Sequence, residues 1–338
     1  MNSNNTIRIQ ASQMESEFNR ILLKLGFQEE KAATCASVFT QNSLEGVLSH
    51  GINRFPRFVE YIQKGLIDIQ AEPECIHSAG AFEQWDGRSG PGPLNAIACT
   101  NRVMELAKTS GIGCVAIANT NHWMRGGTYG WQAAKAGYVF LGWTNTIGNM
   151  PAWGATDNRL GNNPMVIAVP FGDEAIVLDM AMSQYSYGQM EKMALEGSTL
   201  DFPGGYNAQN ELSTSPADIL ETRRPLPIGY WKGASLSLLL DILSAIFSGG
   251  LSTAQISQKH DEVNVSQVFI AISLERLSNF PAIQQTISEI ISDYKNAVPV
   301  DENRPVRYPG ENIKKIRQAG LLDGIPVNRS IWNTILEF

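Results

Sequence analysis

The feature that most constrains this chain is a set of short runs that are apolar along nearly their whole length. They are "CVAIANT", "YVFLGWTNT", "PMVIAVPF", "AIVLDMAM" and "QVFIAISL". Their length and their β-branched and aromatic content predict strands. A strand with one wet face alternates apolar and polar residues, and these do not, so other elements must cover both faces of the sheet. The spacing in "PLNAIACTNRVMELAKTSG" and "TYGWQAAKAG" predicts helices for that task. The strongest apolar run, "GASLSLLLDILSAIFSGG" at 233–250, is shorter than the roughly 20 residues that span a bilayer, and Asp241 interrupts it. It is expected to be a buried helix.

The two ends of the chain read differently. "SQMESEFNRILLKLG" carries capping-box spacing from Ser12 to Glu15 and stops at Gly26. Helices are expected through "EEKAATCASVFTQNSLEGVL" and "RFVEYIQKG", and again in "PAIQQTISEIISDYKNAV", "ENIKKIRQAG" and "SIWNTILEF". "IHSAGAFEQWDG" reads as strand and turn. These patterns predict a discontinuous helical domain, 1–74 with 281–338, around an α/β domain at 75–280. Residues 198–229 are rich in Gly, Pro, Ser and Asn, with one short helix expected at "PADILETR". A loop of that length inside a compact domain is usually functional or mobile.

Composition excludes several classes. A net charge of −7 argues against non-specific nucleic-acid binding. "MNSNNTIRIQ" resembles neither a signal nor a transit peptide, so a cytoplasmic protein with no membrane association is expected. Cys35, Cys75, Cys99 and Cys114 show no CxxC spacing and sit among apolar or helix-forming neighbours, which predicts buried free thiols. No metal-ligand spacing links His50, His77, His122 and His260.

"GIGCVA" (111–116) matches a dinucleotide fingerprint as a string, but it follows a helix and opens a strand. A fingerprint glycine loop must follow a strand and open a helix, so a helix stop is the expected reading. Chemistry is better placed elsewhere. In "SHGINRFPRF" (49–58), Gly51 interrupts the helical pattern so that His50 can project, and Arg54 offers a fork suited to a carboxylate. The plainer reading is a capping histidine with two surface arginines. "NTNHWMRGGTYG" (119–130) puts His122 and an arginine after a strand, where open α/β sheets hold ligands, although a strand-end histidine can simply satisfy local backbone. "GYWKG" sets Lys232 at a helix start, which suits an anion or a lysine lying along the surface. "RYPGENI" offers a weaker helix start.

Together, "EGVLSHGINRFPRFVEYIQKG", "NTNHWMRGGTYGWQAAKAG", "PAWGATDNRLGNNPMVIAVP", "VLDMAMS" and "GYWKG" resemble the malate/L-lactate dehydrogenase family that lacks a Rossmann domain. The resemblance runs from about residue 6 to the C-terminus. It implies an α/β fold with a non-Rossmann mixed sheet, and a homodimer with active sites near the subunit interface. It implies NAD(H) or NADP(H) bound without a GxGxxG loop, and reduction of a small keto acid. The HWMRGG and YWKG details point within it to 2,3-diketo-L-gulonate as substrate, with malate, lactate, sulfolactate, ureidoglycolate and cyclic imino acids as alternatives. A ligand-binding sensor that has lost catalysis is the alternative from another class.

By the same resemblance, His50 is the proton donor, and Ser49 and Arg54 bind substrate. His122 is a second pocket histidine, proposed as the acid in some relatives. The cofactor residues are Ala175, Ile176, Val177, Leu178, Asp179, Met180 and Ala181, then Trp231 and Lys232, then Gly310, Glu311 and Asn312. None of these is an arginine that would take a 2′-phosphate, and Asp179 or Glu311 would discourage one, so NADH is expected over NADPH. "MAMSQYSYG" departs from the family pattern at Gln184 and Tyr185, where apolar residues are expected.

Overall fold

The computed structural model describes residues 6–338, so the first five residues of the expected N-terminal unit lie outside it. The chain opens with β1 (Thr6–Ile9), α1 (Ala11–Lys24), α2 (Glu29–Leu44) and α3 (Phe55–Gln63), with a 3₁₀ turn, Leu48–His50, between the last two. Next come β2 (Glu74–Ala79), β3 (Phe82–Asp86), α4 (Gly92–Ser110), β4 (Ile112–Thr120), α5 (Gly127–Lys135) and β5 (Tyr138–Thr144). A ribbon of β6 (Met150–Pro151) and β7 (Asn158–Leu160) precedes β8 (Met165–Phe171) and β9 (Glu174–Met180). Then follow α6 (Tyr187–Glu196), the ribbon of β10 (Gly205–Tyr206) and β11 (Leu212–Ser213), and α7 (Pro216–Thr222). After α8 (Trp231–Ser248), α9 (Thr253–Ser257) and β12 (Val265–Ser273), the chain closes with α10 (Ile283–Lys295), α11 (Ile313–Asp323), β13 (Ile325–Asn328) and α12 (Arg329–Leu336).

The central sheet has seven strands in the order β2-β3-β4-β12-β5-β8-β9. It is mixed: β3 and β4 run parallel and every other pair is antiparallel. One face carries α4 and α5 on Val115, Ile117, Val166, Val177 and Phe269; the other carries α8 on Ala116, Trp143 and Val268. Neighbouring residues of one strand thus enter different cores, which is why the runs are apolar throughout. A third core joins α1, α2 and α3 to Val327, Trp332 and Ile335, and β1 pairs with β13.

This arrangement fixes the site. Register puts Thr120 beside Val265, Gln267 beside Thr144, Trp143 beside Met165, and Met165 beside Met180. The C-terminal ends of β4, β5 and β9 and the N-terminal ends of β12 and β8 therefore share one edge. Loops leaving that edge must satisfy their own polar groups, and buried amides do so. Asn163 Oδ1 accepts from Thr146 N at 3.0 Å, and Gln267 Nε2 donates to Asn121 O at 3.0 Å.

Four expectations need correction. The apolar helix α8 is buried on one face only, through Gly233, Ala234, Ser237, Leu240, Ser244 and Ser248. Small residues seat it on the sheet, while Leu238, Leu239, Ile242 and Ile246 face outwards. Helix α1 starts at Ala11 with Gln10 as an unaided cap, so Ser12 and Glu15 form no capping box; the box is made by Ser252 and Gln255 at α9. Cys75 is exposed because β2 is an edge strand covered on neither face, whereas Cys35 and Cys99 are buried and Cys114 half-buried. The stretch 198–229 is ordered further than expected, by the β10–β11 ribbon as well as the helix, around Tyr185, Met190, Leu200 and Ile219.

Phe269 lies fully buried on the middle strand against Trp123, Tyr129 and Phe140. Phe269→Ala is expected to cost about 3–5 kcal/mol of unfolding free energy, read from the shift of a urea or guanidinium midpoint. A loss below about 1 kcal/mol would contradict this packing.

Candidate active site

His50 reaches the site because α2 ends at Gly46, φ 82°, and the chain doubles back. The end of α2 grips the returning segment. Val47 N donates to Asn42 O at 2.9 Å, Ile52 N to Ser43 Oγ at 2.8 Å, and Asn42 Nδ2 to His50 O at 3.0 Å. Gly51 is required by space: a Cβ there would lie 2.2 Å from Ser43 Oγ. The backbone of His50 is thus fixed, and its Nδ1 lies 2.9 Å from Ser49 Oγ.

His122 arrives from the end of β4. The two rings are 5.7 Å apart, centroid to centroid, and inclined by 27°. Met124 N donates to His122 Nδ1 at 2.9 Å, so that nitrogen is an acceptor and the neutral ring carries its proton on Nε2. Arg54 is three-quarters buried, with Nη2 3.2 Å from Glu262 Oε2. Glu262 comes from the loop before β12, and its other oxygen accepts from Ile147 N at 3.4 Å. The carboxylate orients Arg54 through one nitrogen and leaves the rest of the fork available.

Both histidines stay neutral. Burial, then the charges of Arg54 and Arg125, pushes the His50 imidazole down to about 4. Burial, with Arg54, His50 and Arg57 adding to it, holds His122 well below the usual histidine range.

Behind the histidines lies an ion network. Arg125, 6% exposed, pairs through Nη1 with Glu45, and Arg317 Nη2 reaches the other Glu45 oxygen at 2.6 Å. Arg125 Nε faces Asp179 at 3.8 Å, and Gly127 N donates to Asp179 Oδ2 at 2.8 Å. The Asp179 side chain is about three-quarters withdrawn from solvent. That confinement raises its carboxyl above the usual range, against the pull of Arg125 and the Gly127 N–H.

The expected cofactor residues follow one path. Val177 N donates to Pro309 O at 3.2 Å, and a Cβ on Gly310 would lie 3.3 Å from Trp131, so Gly310–Asn312 packs on the strand holding Ala175–Met180. Past Ala181, Ile228 N donates to Met182 O at 2.7 Å and Gln184 N to Leu226 O at 2.7 Å, which leads to Trp231 and Lys232 at the exposed start of α8. Glu311 pairs with Lys295 through Oε1. Along this path Ser183 Oγ and Glu311 Oε2, and nearby Asn149 Oδ1, are buried without a hydrogen-bond partner. Such atoms suit a ligand rich in hydroxyl and amide groups.

Ser49, His50, Arg54 and His122 converge, therefore, and the three segments expected to hold the cofactor lie along β9 and its continuation. Sequence reasoning missed Glu262, Glu45 and Asn42. An acid three residues before the middle strand was the available signal for Glu262; Asn42, inside α2, and Glu45, at its end, carried none.

A model of the malate/L-lactate dehydrogenase family matches residues 9–336. The chain is 42% identical over 330 residues to 2,3-diketo-L-gulonate reductase of Klebsiella pneumoniae (strain 342), covering 97% of this chain and 99% of that protein. The reductase of the same name from Escherichia coli K12 is 41% identical, with the same coverage. Among solved structures, malate dehydrogenase from Pyrococcus horikoshii OT3 superposes with a TM-score of 0.90 at 28% identity, over 99% of this chain and 96% of that one. Sulfolactate dehydrogenase from Methanocaldococcus jannaschii gives 0.88 at 26%, over 98% and 96%.

The depressed His50 has a consequence for stability. Its folded value near 4 lies below the unfolded value near 6.5, so the unfolded chain binds more protons between those limits. Stability on this account falls as pH drops from about 6.5 to 4. His50→Gln should flatten that fall by roughly 1 kcal/mol or more, measured by urea unfolding at fixed pH steps. An unchanged slope would refute the assignment.

Proposed function

The chain belongs to the malate/L-lactate dehydrogenase family, and from that premise we propose that it reduces 2,3-diketo-L-gulonate to 3-keto-L-gulonate with NADH. The substrate follows the reductases that it matches at 41–42% identity over nearly the whole chain. The observation that carries the chemistry is the neutral histidine pair beside Arg54.

Reducing a 2-oxo acid adds a hydride to carbon and a proton to oxygen. A bound nicotinamide supplies the hydride; the chain's residues do the rest. Arg54 takes the carboxylate with the part of its fork that Glu262 leaves free. The bound anion offsets the arginine charges that, after burial, keep His50 deprotonated, so the imidazole gains affinity for a proton where one is needed.

His50 is the better acid of the two for a structural reason. Ser49 Oγ can donate to a neutral Nδ1 or accept from a protonated one, so either state of His50 keeps its partner. Protonating His122 at Nδ1 would instead set an N–H against the Met124 N–H. His122 therefore serves as an Nε2–H donor to substrate oxygens.

For the cofactor, Lys232 with the start of α8 suits the pyrophosphate, and the unpartnered oxygen of Glu311 suits a ribose hydroxyl. Glu311 is a better reader than Asp179, which is already held by Gly127 N and Arg125. An acid at that position disfavours a 2′-phosphate, hence NADH. The four unpaired cysteines agree with a cytoplasmic setting.

The test is NADH and NADPH oxidation with 2,3-diketo-L-gulonate, pyruvate, oxaloacetate and a cyclic imine. The diketo acid with NADH should give the highest kcat/KM. His50→Ala should lose about 10²–10⁴-fold in turnover, and Arg54→Lys should chiefly raise KM. Equal use of both cofactors would overturn the cofactor reading. Loss of turnover in His122→Ala with normal turnover in His50→Ala would reverse the roles.

We also infer a homodimer, with a second copy covering the outer face of α8. Leu238, Leu239, Ile242 and Ile246 form a contiguous apolar stripe that a lone protomer leaves to water, next to the exposed Trp231 at the same helix's cofactor end. Sedimentation should give a dimer that Ile242→Asp with Ile246→Asp converts to monomer. A parent protein that is fully active as a monomer would rule this out.

A further inference from the structure

One buried polar bridge is absorbed by neither the expected site nor the ion network. Asn42, 1% exposed on α2, uses both ends of its amide. Nδ2 donates to His50 O at 3.0 Å, and Oδ1 accepts from Thr128 Oγ1 at 2.7 Å. The His50 carbonyl can only accept, so it fixes which way the amide points, and Thr128 must then be the donor. Thr128 lies in the first turn of α5, beside Gly127 and three residues after Arg125. Its N donates to Arg125 O at 3.2 Å, while Gly127 N holds Asp179 on β9. A continuous path thus runs from the expected cofactor strand through this turn and Asn42 to the backbone of His50.

We propose that Thr128 is a positioning residue for His50, acting through Asn42 to fix the imidazole relative to β9. This rests on the reading of His50 as the acid. The Thr128 hydroxyl proton goes to Asn42. Its hydroxyl decides whether Asn42 is locked or free to turn, and Asn42 in turn holds the peptide from which His50 projects. Proton transfer is sensitive to displacements of about 1 Å, which can cost on the order of 100-fold, so loosening this link should lower turnover more than binding.

Thr128→Val keeps the shape of the side chain and removes the donor; Thr128→Ser keeps the donor. With whichever 2-oxo acid the parent reduces, Thr128→Val should lower kcat about tenfold or more with KM within about twofold, and Thr128→Ser should recover to within about threefold. The chain has only four histidines, so ¹⁵N-histidine labelling resolves every ring without cofactor or substrate. The His50 ring signals should shift in Thr128→Val and return in Thr128→Ser, while those of His77 and His260 stay fixed. Unchanged His50 signals in Thr128→Val, or equal impairment in both variants, overturns the proposal. A parent that reduces no 2-oxo acid defeats the functional reading instead, and the ring signals still decide the positioning.

Discussion

The structure depends most on one carboxylate, Glu45, held between two guanidinium groups. Arg125 meets one oxygen from the loop after β4, and Arg317 meets the other from α11, 272 residues along the chain. Removing a partner from a buried pair of this kind costs about 3–5 kcal/mol, because the charge left behind has no water to turn to. The ion pairs also fix positions. Glu45 caps the helix that launches the His50 segment, Arg125 follows His122, and α11 follows Gly310–Asn312. Three parts of the chain that supply the site are thereby referred to one buried point.

That point also sets the electrostatics. Burial lowers the His50 imidazole most, and Arg54 and Arg125, paired with Glu262 and Glu45, add to it. The site therefore favours an anion and disfavours a charged imidazole. Those preferences are linked, since an anion that satisfies the first relieves the second. On the proposed reaction the site becomes acidic only when a carboxylate is in place. A ketone without a carboxylate would meet a neutral histidine, so selectivity for keto acids would arise in part from protonation as well as from contact.

The sheet was legible because its strands cannot hide: covering both faces makes a run apolar at every position, and the five runs became β4, β5, β8, β9 and β12. The histidines and Arg54 were legible as residue types out of place. What could not be read was anything set by long-range approach. Glu45 looks like an ordinary helix residue until Arg317 is brought to it. Glu262 and Asn42 gain meaning only from the register of β12 and the return of the chain after Gly46. Helix α8 was misread for a related reason. Hydropathy reports that a face is apolar and is silent on whether the same chain covers it. The capping box failed because the helix began two residues earlier than a Ser12 cap requires, at Ala11 with Gln10 as its cap.

The misleading fingerprint "GIGCVA" shows how the sheet decides where chemistry can sit. Gly111, φ 81°, ends α4, and the nine residues of β4 lie between it and the loop carrying His122. At about 3.3 Å per residue those glycines sit roughly 30 Å away, at the opposite edge of the sheet. In a parallel sheet every strand delivers the chain to the same edge, and a glycine loop leading into a helix can cradle a pyrophosphate there. Here antiparallel neighbours bring strand starts and strand ends to one edge, and the connections from it into helices, after β3, β4 and β9, carry no GxGxxG spacing. Its irregular loops are braced by side-chain amides, those of Asn121, Asn145 and Asn163. The same topology leaves the "GIGCVA" glycines at the edge away from His122, where they end a helix and open a strand.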